Sequence, residues 1–573
     1  MMSNQTATTS ISTQKPWLKY FDHLPDERAT ECSVYAFLKQ HNQDYPNDIA
    51  LNYFDHRITF GEMFQQIQKT AAAYLKLGVK KGDIVSICSV TTPEVIYSFY
   101  ALDMIGATAN MIDPRTSTAG VHEYLLEVHS KVAVSLSVAY PRMKAAAEGT
   151  EVEKIIVISP ADSLKGIKKP LYKLTNKDTN SYDSNAVMWK DFIAGGIGIQ
   201  VKEEPYDPNH CIVIVHTGGT TGVPKGVMLP DKAFNVLAVQ YTINNFERRQ
   251  KFLDVMPPFI AYGFACGVHM PLIVGVEVVI IPQVDPEKLG DLLLKYKPTH
   301  MAGVPMHYIT MIKHPKLQNA DLSFLKTPGV GGDAMNKGSE KEVVEFLRAR
   351  GCKCYLTMGY GMTECCSTAT TCMGEKIYKE GSVGVPVCLT TVSIFDEVTG
   401  EELGYNQDGE ICVLSPNVML GYYNNEKETA NVLRRHADGK VWLHTGDIGH
   451  MDEDGFVYIA SRTKRIIIRH DGFKIFPPII ENAISKHEAV DVCSAVGAKD
   501  PDNEQGRLPV VFIVLYKGYE KRKDEVLKEV KEICEKELPE YMQPMEYRFV
   551  DKLPYTLIGK VDYRTLEAEA ASH

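Results

Sequence analysis

Apolar positions near the start of the chain follow a helical repeat in some segments and form short unbroken runs in others. The apolar face of one predicted helix, which ends at Gly78, consists of Met63, Phe64, Ile67, Ala71, Tyr74 and Leu75. The runs "DIVSICSV" and "ATANMID" predict buried strands. Between them, "TPEVIYSFYALDMIGA" predicts a helix that opens with Thr-Pro and closes at Gly106. This alternation predicts a mostly parallel sheet.

The same alternation resumes after "CIVIV" (211–215) and continues to "CYLTMGYG". The run "MPLIVGVEVVIIP" (270–282) is short and contains Glu277, so it predicts a buried strand and not a membrane span. The segment 140–205 is polar and weakly patterned, and residues 1–30 predict a tail or a docking arm. From about residue 385, short strands separated by turn signals predict a small antiparallel β subdomain.

The last part of the chain has its own strand–helix–strand pattern, which includes the charged helix "KRKDEVLKEVKEICEKEL". We therefore predict an α/β fold with two domains. The N-terminal domain (1–461) is large and combines two βα sheets with the small β subdomain. The C-terminal domain (462–573) is small and of the α+β type.

Composition excludes some functions. A chain of 573 residues is too long for one hydrophobic core, and its net charge of −10 disfavours a nucleic-acid partner. The polar N-terminus lacks the apolar core of a secretory signal, and we expect a cytoplasmic protein without a transmembrane segment. The thirteen cysteines are scattered; Cys352/Cys354 and Cys365/Cys366 lack the further ligands that a zinc site needs.

The glycine-rich stretch "VHTGGTTGVPKGV" (215–227) directly follows an apolar run. Glycine allows several backbone N–H groups to point at one anion, threonine hydroxyls add donors and Lys225 adds a positive charge, which together favour a polyphosphate site. In a Walker A loop the lysine directly follows the last glycine, whereas Val223 and Pro224 intervene here. The spacing therefore disfavours a P-loop NTPase.

This stretch is similar to the phosphate loop of the adenylate-forming superfamily, which includes acyl-CoA synthetases, nonribosomal adenylation domains and luciferases. Further motifs of that superfamily follow in order: "GYGMTE" (359–364), "HTGDIG" (444–449), "SRTKRIIIRHDGFKI" (461–475) and "LPYTLIGKVDYRTL" (553–566). "GGDAM" (331–335) resembles its adenine-edge segment. The resemblance extends over nearly the whole chain.

The resemblance implies that a carboxylic acid and ATP give an acyl-adenylate and pyrophosphate, and that the acyl group is then transferred to CoA. It implies a catalytic role for Thr363 at the α-phosphate and for Glu364 as the Mg²⁺ ligand. It also assigns a larger set of residues to the binding of ATP and CoA. They are Thr217, Gly218, Gly219, Thr220, Thr221, Gly222, Lys225, Gly332, Asp333, Ala334, Gly359, Tyr360, Gly361, Asp447, Arg462, Lys464, Gly472 and Phe473.

Within that set, the resemblance places Tyr360 against adenine and Asp447 on the ribose hydroxyls. Lys560 would bridge the carboxylate and the α-phosphate. Because Lys560 lies in the small domain, that domain is expected to be mobile: it closes for adenylation and then rotates about Lys464, so that Gly472 and Phe473 line the pantetheine channel. The spacing between Arg462 and Gly472 is one residue longer than the superfamily pattern.

The resemblance places the acid pocket along "PPFIAYGF" (257–264), with Ile260 where the superfamily often has His. No charged residue is available there for an ammonium group, so an amino-acid substrate is disfavoured. The predicted pocket wall consists of Tyr262, Phe264, Gly303, Val304, Gly329 and Val330. This apolar wall favours a fatty acid. Aryl acids and a carrier protein as acceptor stay open, whereas Glu364, Asp447 and Lys560 argue against a sensor without turnover.

Overall fold

The computed structural model describes residues 10–217, 225–242, 246–462, 465–469, 474–501, 506–556 and 560–572. They form the predicted α/β architecture, in which a large N-terminal domain holds two extended sheets and a β subdomain and a small C-terminal domain follows. No helix within these ranges is both long enough and apolar enough to cross a membrane.

The first extended sheet has eight strands, of which six adjacent ones are parallel. In spatial order they are Gly421–Tyr422, Lys225–Pro230, Cys211–Thr217, Thr108–Ile112, Ile84–Cys88, Val132–Leu136, Lys154–Ile158 and Ala186–Met188. The two helices predicted next to this sheet are confirmed as Phe60–Lys76 and Pro93–Met104. Thr92 caps the second helix, whose residues are all buried, so this helix lies inside the domain core.

The second extended sheet has nine strands with a parallel centre. In spatial order they are Val385–Pro386, Thr370–Thr371, Thr357–Tyr360, Thr327–Val330, His300–Gly303, Lys251–Asp254, Glu277–Ile280, Ile49–Tyr53 and His56–Thr59. The prediction of one buried strand over 270–282 is wrong for its first half, which is the helix Met270–Val274. Gly275, with φ of 81°, ends that helix before the strand begins.

The β subdomain consists of the antiparallel strands Thr391–Phe395, Gly409–Leu414, Leu433–Arg435, Val441–Met451 and Val457–Arg462, as predicted from residue 385 onwards. The N-terminal arm packs on this subdomain. Trp17 is fully buried in its core, and Ser12 donates to Glu402 through both its backbone N–H and its hydroxyl group, at 2.7 and 2.8 Å.

The C-terminal part contains a sheet of Val490–Lys499, Arg507–Leu515 and Glu546–Phe549, and a short pair of Ile467–Ile468 and Lys474–Ile475. The predicted charged helix is Lys523–Glu537, and it connects two parallel strands. The domain boundary predicted between 461 and 462 falls within the last residues of the strand Val457–Arg462. Helices Pro477–Ile484 and Tyr563–Ala571 complete this part.

Further helices cover the two extended sheets. They are Val34–Asn42, Thr118–Glu127, Tyr140–Ala147, Asp231–Thr242, Leu289–Tyr296, Pro305–Ile312, Lys337–Ala349 and Glu426–Val432. The weakly patterned segment 140–205 also contains regular elements, among them the helices Lys168–Thr175 and Trp189–Gly195.

Candidate active site

Three of the predicted nucleotide motifs begin at the carboxyl ends of strands. These strands are Cys211–Thr217, Thr327–Val330 and Thr357–Tyr360. In open α/β sheets, ligands bind outside the carboxyl ends of the strands. The predicted residues that lie outside the described part of the chain are Gly218, Gly219, Thr220, Thr221, Gly222, Lys464, Gly472 and Phe473.

The base of the phosphate loop is a β-hairpin in which Thr217 pairs with Lys225. The ammonium group of Lys225 forms an ion pair with Glu428 and lies 4.8 Å from the centre of the Tyr422 ring. Glu428 belongs to the helix Glu426–Val432, about two hundred residues later in the chain. Lys225, which we predict to bind ATP phosphates, is therefore paired with a carboxylate in this structure.

Glu364 is a buried carboxylate with a fixed orientation. Its Oε1 accepts a hydrogen bond from the hydroxyl group of Tyr422 at 2.7 Å. Burial raises the pKa of Tyr422 above its usual range, and the nearby charge of Glu364 raises it further, so the tyrosine remains a donor. Tyr422 thus contacts both Lys225 and Glu364, which joins the phosphate loop to the predicted metal ligand.

The turn around Thr363 and Glu364 is held in a strained conformation. Two and three residues after Glu364, Cys366 and Ser367 have φ of 51° and 97°, which few non-glycine residues adopt. A Cβ atom at Gly361 would lie 1.8 Å from the carbonyl oxygen of Ser367, so only glycine fits there. This turn fixes the positions of the two predicted catalytic residues.

Tyr360 and Asp447 are in direct contact, since the tyrosine hydroxyl group donates to Oδ2 of Asp447 at 2.7 Å. Asp447 lies opposite Arg462 in the backbone register of two adjacent strands. The turn before Asp447 is held by Glu410, whose Oε1 accepts the N–H of Gly446 at 3.0 Å. The other oxygen of Glu410 lies 2.7 Å from Nδ1 of His444.

The adenine-edge segment contacts the C-terminal domain. The backbone N–H of Val561 donates to Oδ2 of Asp333 at 3.3 Å. Burial raises the pKa of Asp333, and the charge of Lys560 opposes this rise. Lys560 lies in one of two paired segments, since Tyr555 and Val561 form an antiparallel bridge and the N–H of Lys560 donates to the hydroxyl of Thr556 at 3.1 Å; we call this pair the Lys560 hairpin. The structure therefore brings Lys560 to the predicted nucleotide site.

The predicted acid pocket is only partly assembled from the expected residues. The hydroxyl group of Tyr262 donates to the carbonyl of Gly303 at 3.3 Å, and a Cβ at Gly332 would lie 3.7 Å from Val304 and 3.9 Å from Tyr262. Tyr262 begins a π-helical turn, Tyr262–His269, a feature that is frequent at functional sites. The carbonyl of Gly329 accepts a bond from Tyr308.

Two residues predicted to line this pocket have side chains in hydrophobic cores. Phe264 packs against Phe99, with ring centres 4.2 Å apart, in the large core of the N-terminal domain. Val330 belongs to a separate core, together with Leu293 and Leu347. Because side chains alternate along a strand, Val330 and Gly329 face opposite sides of the sheet. These two side chains contribute to core packing.

His216, next to the phosphate loop, is a half-buried neutral side chain. Its ring stacks on Tyr124 at 3.8 Å, and its Nε2 lies 2.6 Å from the amide oxygen of Asn110. Burial lowers the pKa of His216 to about 4, so it adds no positive charge to the loop near neutral pH.

The sequence alone did not indicate Tyr422, Glu428 or Glu410, although each contacts a predicted site residue or its turn. They come from two segments of ordinary composition, "GYYNNEKE" and "GEICVL". In the first segment, acidic residues at the start of a helix follow two tyrosines, which is the only sequence feature that could have indicated Glu428. That this helix lies next to Lys225 is visible only in the fold.

The profile of the AMP-binding enzyme family matches residues 38–423, and that of the AMP-binding enzyme C-terminal domain matches residues 479–560. The chain belongs to the AMP-binding enzyme family. Long-chain-fatty-acid–CoA ligase of Bacillus subtilis strain 168 is 32% identical over 98% of this chain and 100% of its own length. Probable 4-coumarate–CoA ligase 1 of Dictyostelium discoideum is 30% identical over 87% of this chain and 88% of its own.

Solved structures show the same fold. ATP-bound MatB from Rhodopseudomonas palustris superposes with a TM-score of 0.80 at 20% identity and covers 94% of this chain and 99% of that one. The anthranilate CoA ligase AuaEII in complex with anthranoyl-AMP superposes with a TM-score of 0.81, also at 20% identity. The match covers 94% of this chain and 97% of that one. This member of the AMP-binding enzyme family is an AMP-forming acyl-CoA ligase, which uses ATP, CoA and a small-molecule acid.

Proposed function

We propose that this acyl-CoA ligase acts on a long-chain fatty acid and that Lys560 is the catalytic lysine of the adenylation step. The observation that carries the proposal is the contact of the Lys560 hairpin with the adenine-edge segment through Asp333. The full-length similarity to the Bacillus subtilis long-chain-fatty-acid–CoA ligase supports the choice of acid. The segment 259–262, Phe-Ile-Ala-Tyr, carries no charge and also supports a fatty acid as the substrate.

Adenylation brings an anionic carboxylate to an anionic phosphate. Two like unit charges 4 Å apart repel by roughly 4 kcal/mol at an effective dielectric constant near 20. Positive charge fixed at the point of attack removes this barrier. In our proposal Lys560 supplies it between carboxylate and α-phosphate, Thr363 donates to the α-phosphate, and Lys225 leaves Glu428 to bind the outer phosphates.

We propose that Glu364 holds Mg²⁺ when ATP binds. The carboxylate is a hard oxygen ligand and is oriented in advance by Tyr422, which fits the preference of this ion for oxygen donors. The ion would supply charge neutralisation at the phosphates. Asp447 and Tyr360 would hold the ribose and the base.

For thioester formation, the C-terminal domain would leave the orientation seen here and withdraw Lys560, so that CoA reaches the acyl-adenylate. Residues 464 and 472–473 would act in that second orientation. CoA is the expected thiol, and a holo-carrier protein is the alternative acceptor.

A screen of acids tests the substrate class. Pyrophosphate release with ATP and Mg²⁺ is measured for saturated fatty acids of increasing length, for 4-coumarate and for benzoate. We expect the highest kcat/KM for a long-chain acid. A clear preference for an aryl acid would instead make the protein an aryl-CoA ligase. Comparing CoA with holo-carrier protein in the same assay identifies the acceptor by AMP release.

The role of Lys560 is tested separately with Lys560→Ala and, as a matched control, Lys552→Ala, an exposed lysine of the same domain. We expect Lys560→Ala to lower the rate of pyrophosphate release by roughly 100-fold or more, since it removes a charge that acts in the transition state. ATP affinity should change little. Normal pyrophosphate release from Lys560→Ala would refute this assignment.

A further inference from the structure

The short helix Lys168–Thr175 presents its apolar side to solvent. Ile167, Leu171 and Leu174 follow at helical spacing and share one face, and they are 81%, 55% and 81% exposed. The opposite face carries Tyr172, which packs against the large core. A surface helix normally buries its apolar stripe, so an exposed stripe indicates an interaction surface.

The helix is held in this orientation by the neighbouring β-hairpin. Tyr53 donates to the carbonyl of Pro160 at 3.0 Å, and Nδ1 of His56 lies 2.6 Å from the carbonyl oxygen of Ser163. Lys168 donates to the carbonyl oxygen of Phe54 at 2.7 Å, and the side chain of Phe54 is itself 41% exposed. The apolar face is thus attached to a regular element of the fold, which carries a fourth exposed apolar side chain.

Positive charge is concentrated on the same segment. Residues 163–177 contain five lysines and no acidic residue, in a chain whose net charge is −10. We call these lysines and the four exposed apolar residues the basic apolar patch. Its members are Phe54, Lys165, Ile167, Lys168, Lys169, Leu171, Lys173, Leu174 and Lys177.

Most of this charge is available to a partner. Lys165, Lys173 and Lys177 are exposed and form no ion pair with another residue in the described ranges. Lys168 pairs with Asp55, and Lys169 donates to the carbonyl of Asp162. Apolar side chains that project from a helix with lysines around them match the boundary between lipid headgroups and acyl chains, where each lysine also meets a negative surface potential.

We propose that the basic apolar patch docks this protein on the surface of an anionic phospholipid bilayer. The three aliphatic side chains of the helix enter the headgroup boundary, and the lysines contact lipid phosphates. Charge complementarity selects this partner: a second copy of the chain would bring an equally positive face, which repels. The proposal stands apart from the enzymatic reaction, since docking needs no ATP, acid or CoA.

The experiment is flotation of the full-length protein with vesicles, without substrates. One set contains phosphatidylcholine only, and the other contains equal parts of phosphatidylcholine and phosphatidylglycerol. The apolar variant is Ile167→Ser/Leu171→Ser/Leu174→Ser and the basic variant is Lys165→Gln/Lys173→Gln/Lys177→Gln. Val398→Ser/Val441→Ser, which removes exposed apolar groups from the β subdomain, is the control.

We expect the native protein and the control to float with the anionic vesicles, less so at high salt, and to bind phosphatidylcholine weakly. Each lysine near an anionic surface contributes about fivefold to binding, so the basic variant should lose well over tenfold. The apolar variant should lose a similar factor. All variants should have the same Tm as the native protein, since the changed side chains are exposed.

The following results would each overturn the proposal. They are no flotation of the native protein, equal flotation of both patch variants and the native protein, and equal binding to the two vesicle types. Binding to an acidic polypeptide such as polyglutamate without binding to vesicles would also overturn it, because the patch would then be a protein-docking surface.

Discussion

Asp333 of the N-terminal domain accepts a hydrogen bond from the backbone N–H of Val561, next to Lys560, at 3.3 Å. This bond joins the hairpin of the small domain to the adenine-edge segment. A second connection lies farther out, where Lys313 forms an ion pair with Asp491 at 2.9 Å. The orientation of the two domains is therefore the one that adenylation requires in our proposal.

Replacing Asp333 should affect one half-reaction more than the other. Asp333→Ala removes the acceptor for Val561, and a hydrogen bond to a charged group contributes about 1.5–3 kcal/mol. We expect pyrophosphate formation to slow by about tenfold or more, with little change in thioester formation from supplied acyl-adenylate. Single-turnover assays of the two steps provide the measurement. An equal loss in both steps would contradict a role in docking the hairpin, and Asp524→Ala, an exposed site in the small domain, is the control.

Tyr422 should determine how well Glu364 serves as a metal ligand. Tyr422→Phe keeps the ring near Lys225 but removes the hydroxyl group that orients the carboxylate. We expect the Mg²⁺ concentration for half-maximal adenylation to rise by about tenfold, in line with a lost charge-assisted bond. The neighbouring Tyr423→Phe is the matched control. An unchanged Mg²⁺ dependence would show that Glu364 needs no support from Tyr422.

Glu428 should compete with ATP for Lys225. The pair is partly exposed, and such pairs contribute up to about 1 kcal/mol, so breaking it frees the lysine at modest cost. Glu428→Gln is expected to lower the Kd for ATP by about threefold. Isothermal titration without acid measures this, with Glu426→Gln on the same helix as the control. Weaker ATP binding in Glu428→Gln would indicate that Glu428 helps to hold the nucleotide.

Asp254 should make stability depend on pH. Burial raises the pKa of this carboxyl group to about 8, and its Oδ2 has no hydrogen-bond partner among the described residues. Between about pH 4 and 8 the unfolded chain loses a proton that the folded protein keeps, so this group lowers stability as the pH rises through that window.

Asp254→Asn has no such proton to lose. Its Tm minus that of the native protein should therefore increase with pH up to about 8 and then level off. Thermal unfolding across this range measures the difference, with Asp524→Asn as an exposed control. A constant difference at all pH values would mean that Asp254 does not titrate in this way.

Local patterns were sufficient to predict most of the architecture. The Thr-Pro start and the closing Gly106 define the helix Pro93–Met104, because capping and helix-ending residues act within a few positions. The run 270–282 was misread since a helix ending at Gly275 and a following strand form one apolar stretch. Periodicity does not separate buried helix from buried strand over so few residues.

The site was predictable where a motif is continuous and not where it depends on long-range contacts. Thr363 and Glu364 lie within the continuous motif "GYGMTE", so they could be named from the sequence. Tyr422 and Glu428 reach Glu364 and Lys225 only because the strand Gly421–Tyr422 pairs with Lys225–Pro230. The roles assigned to Lys464, Gly472 and Phe473 stay predictions.

The N-terminal arm has a consequence for how the protein is made. Trp17 is synthesised several hundred residues before Val392, Ile411 and Val457, yet it shares one core with them. During synthesis, Trp17 can reach this packing only after the strands of the β subdomain have been added to the chain. Deleting the arm would expose the surface that Trp17 covers, so a segment distant in sequence stabilises the β subdomain that carries Asp447.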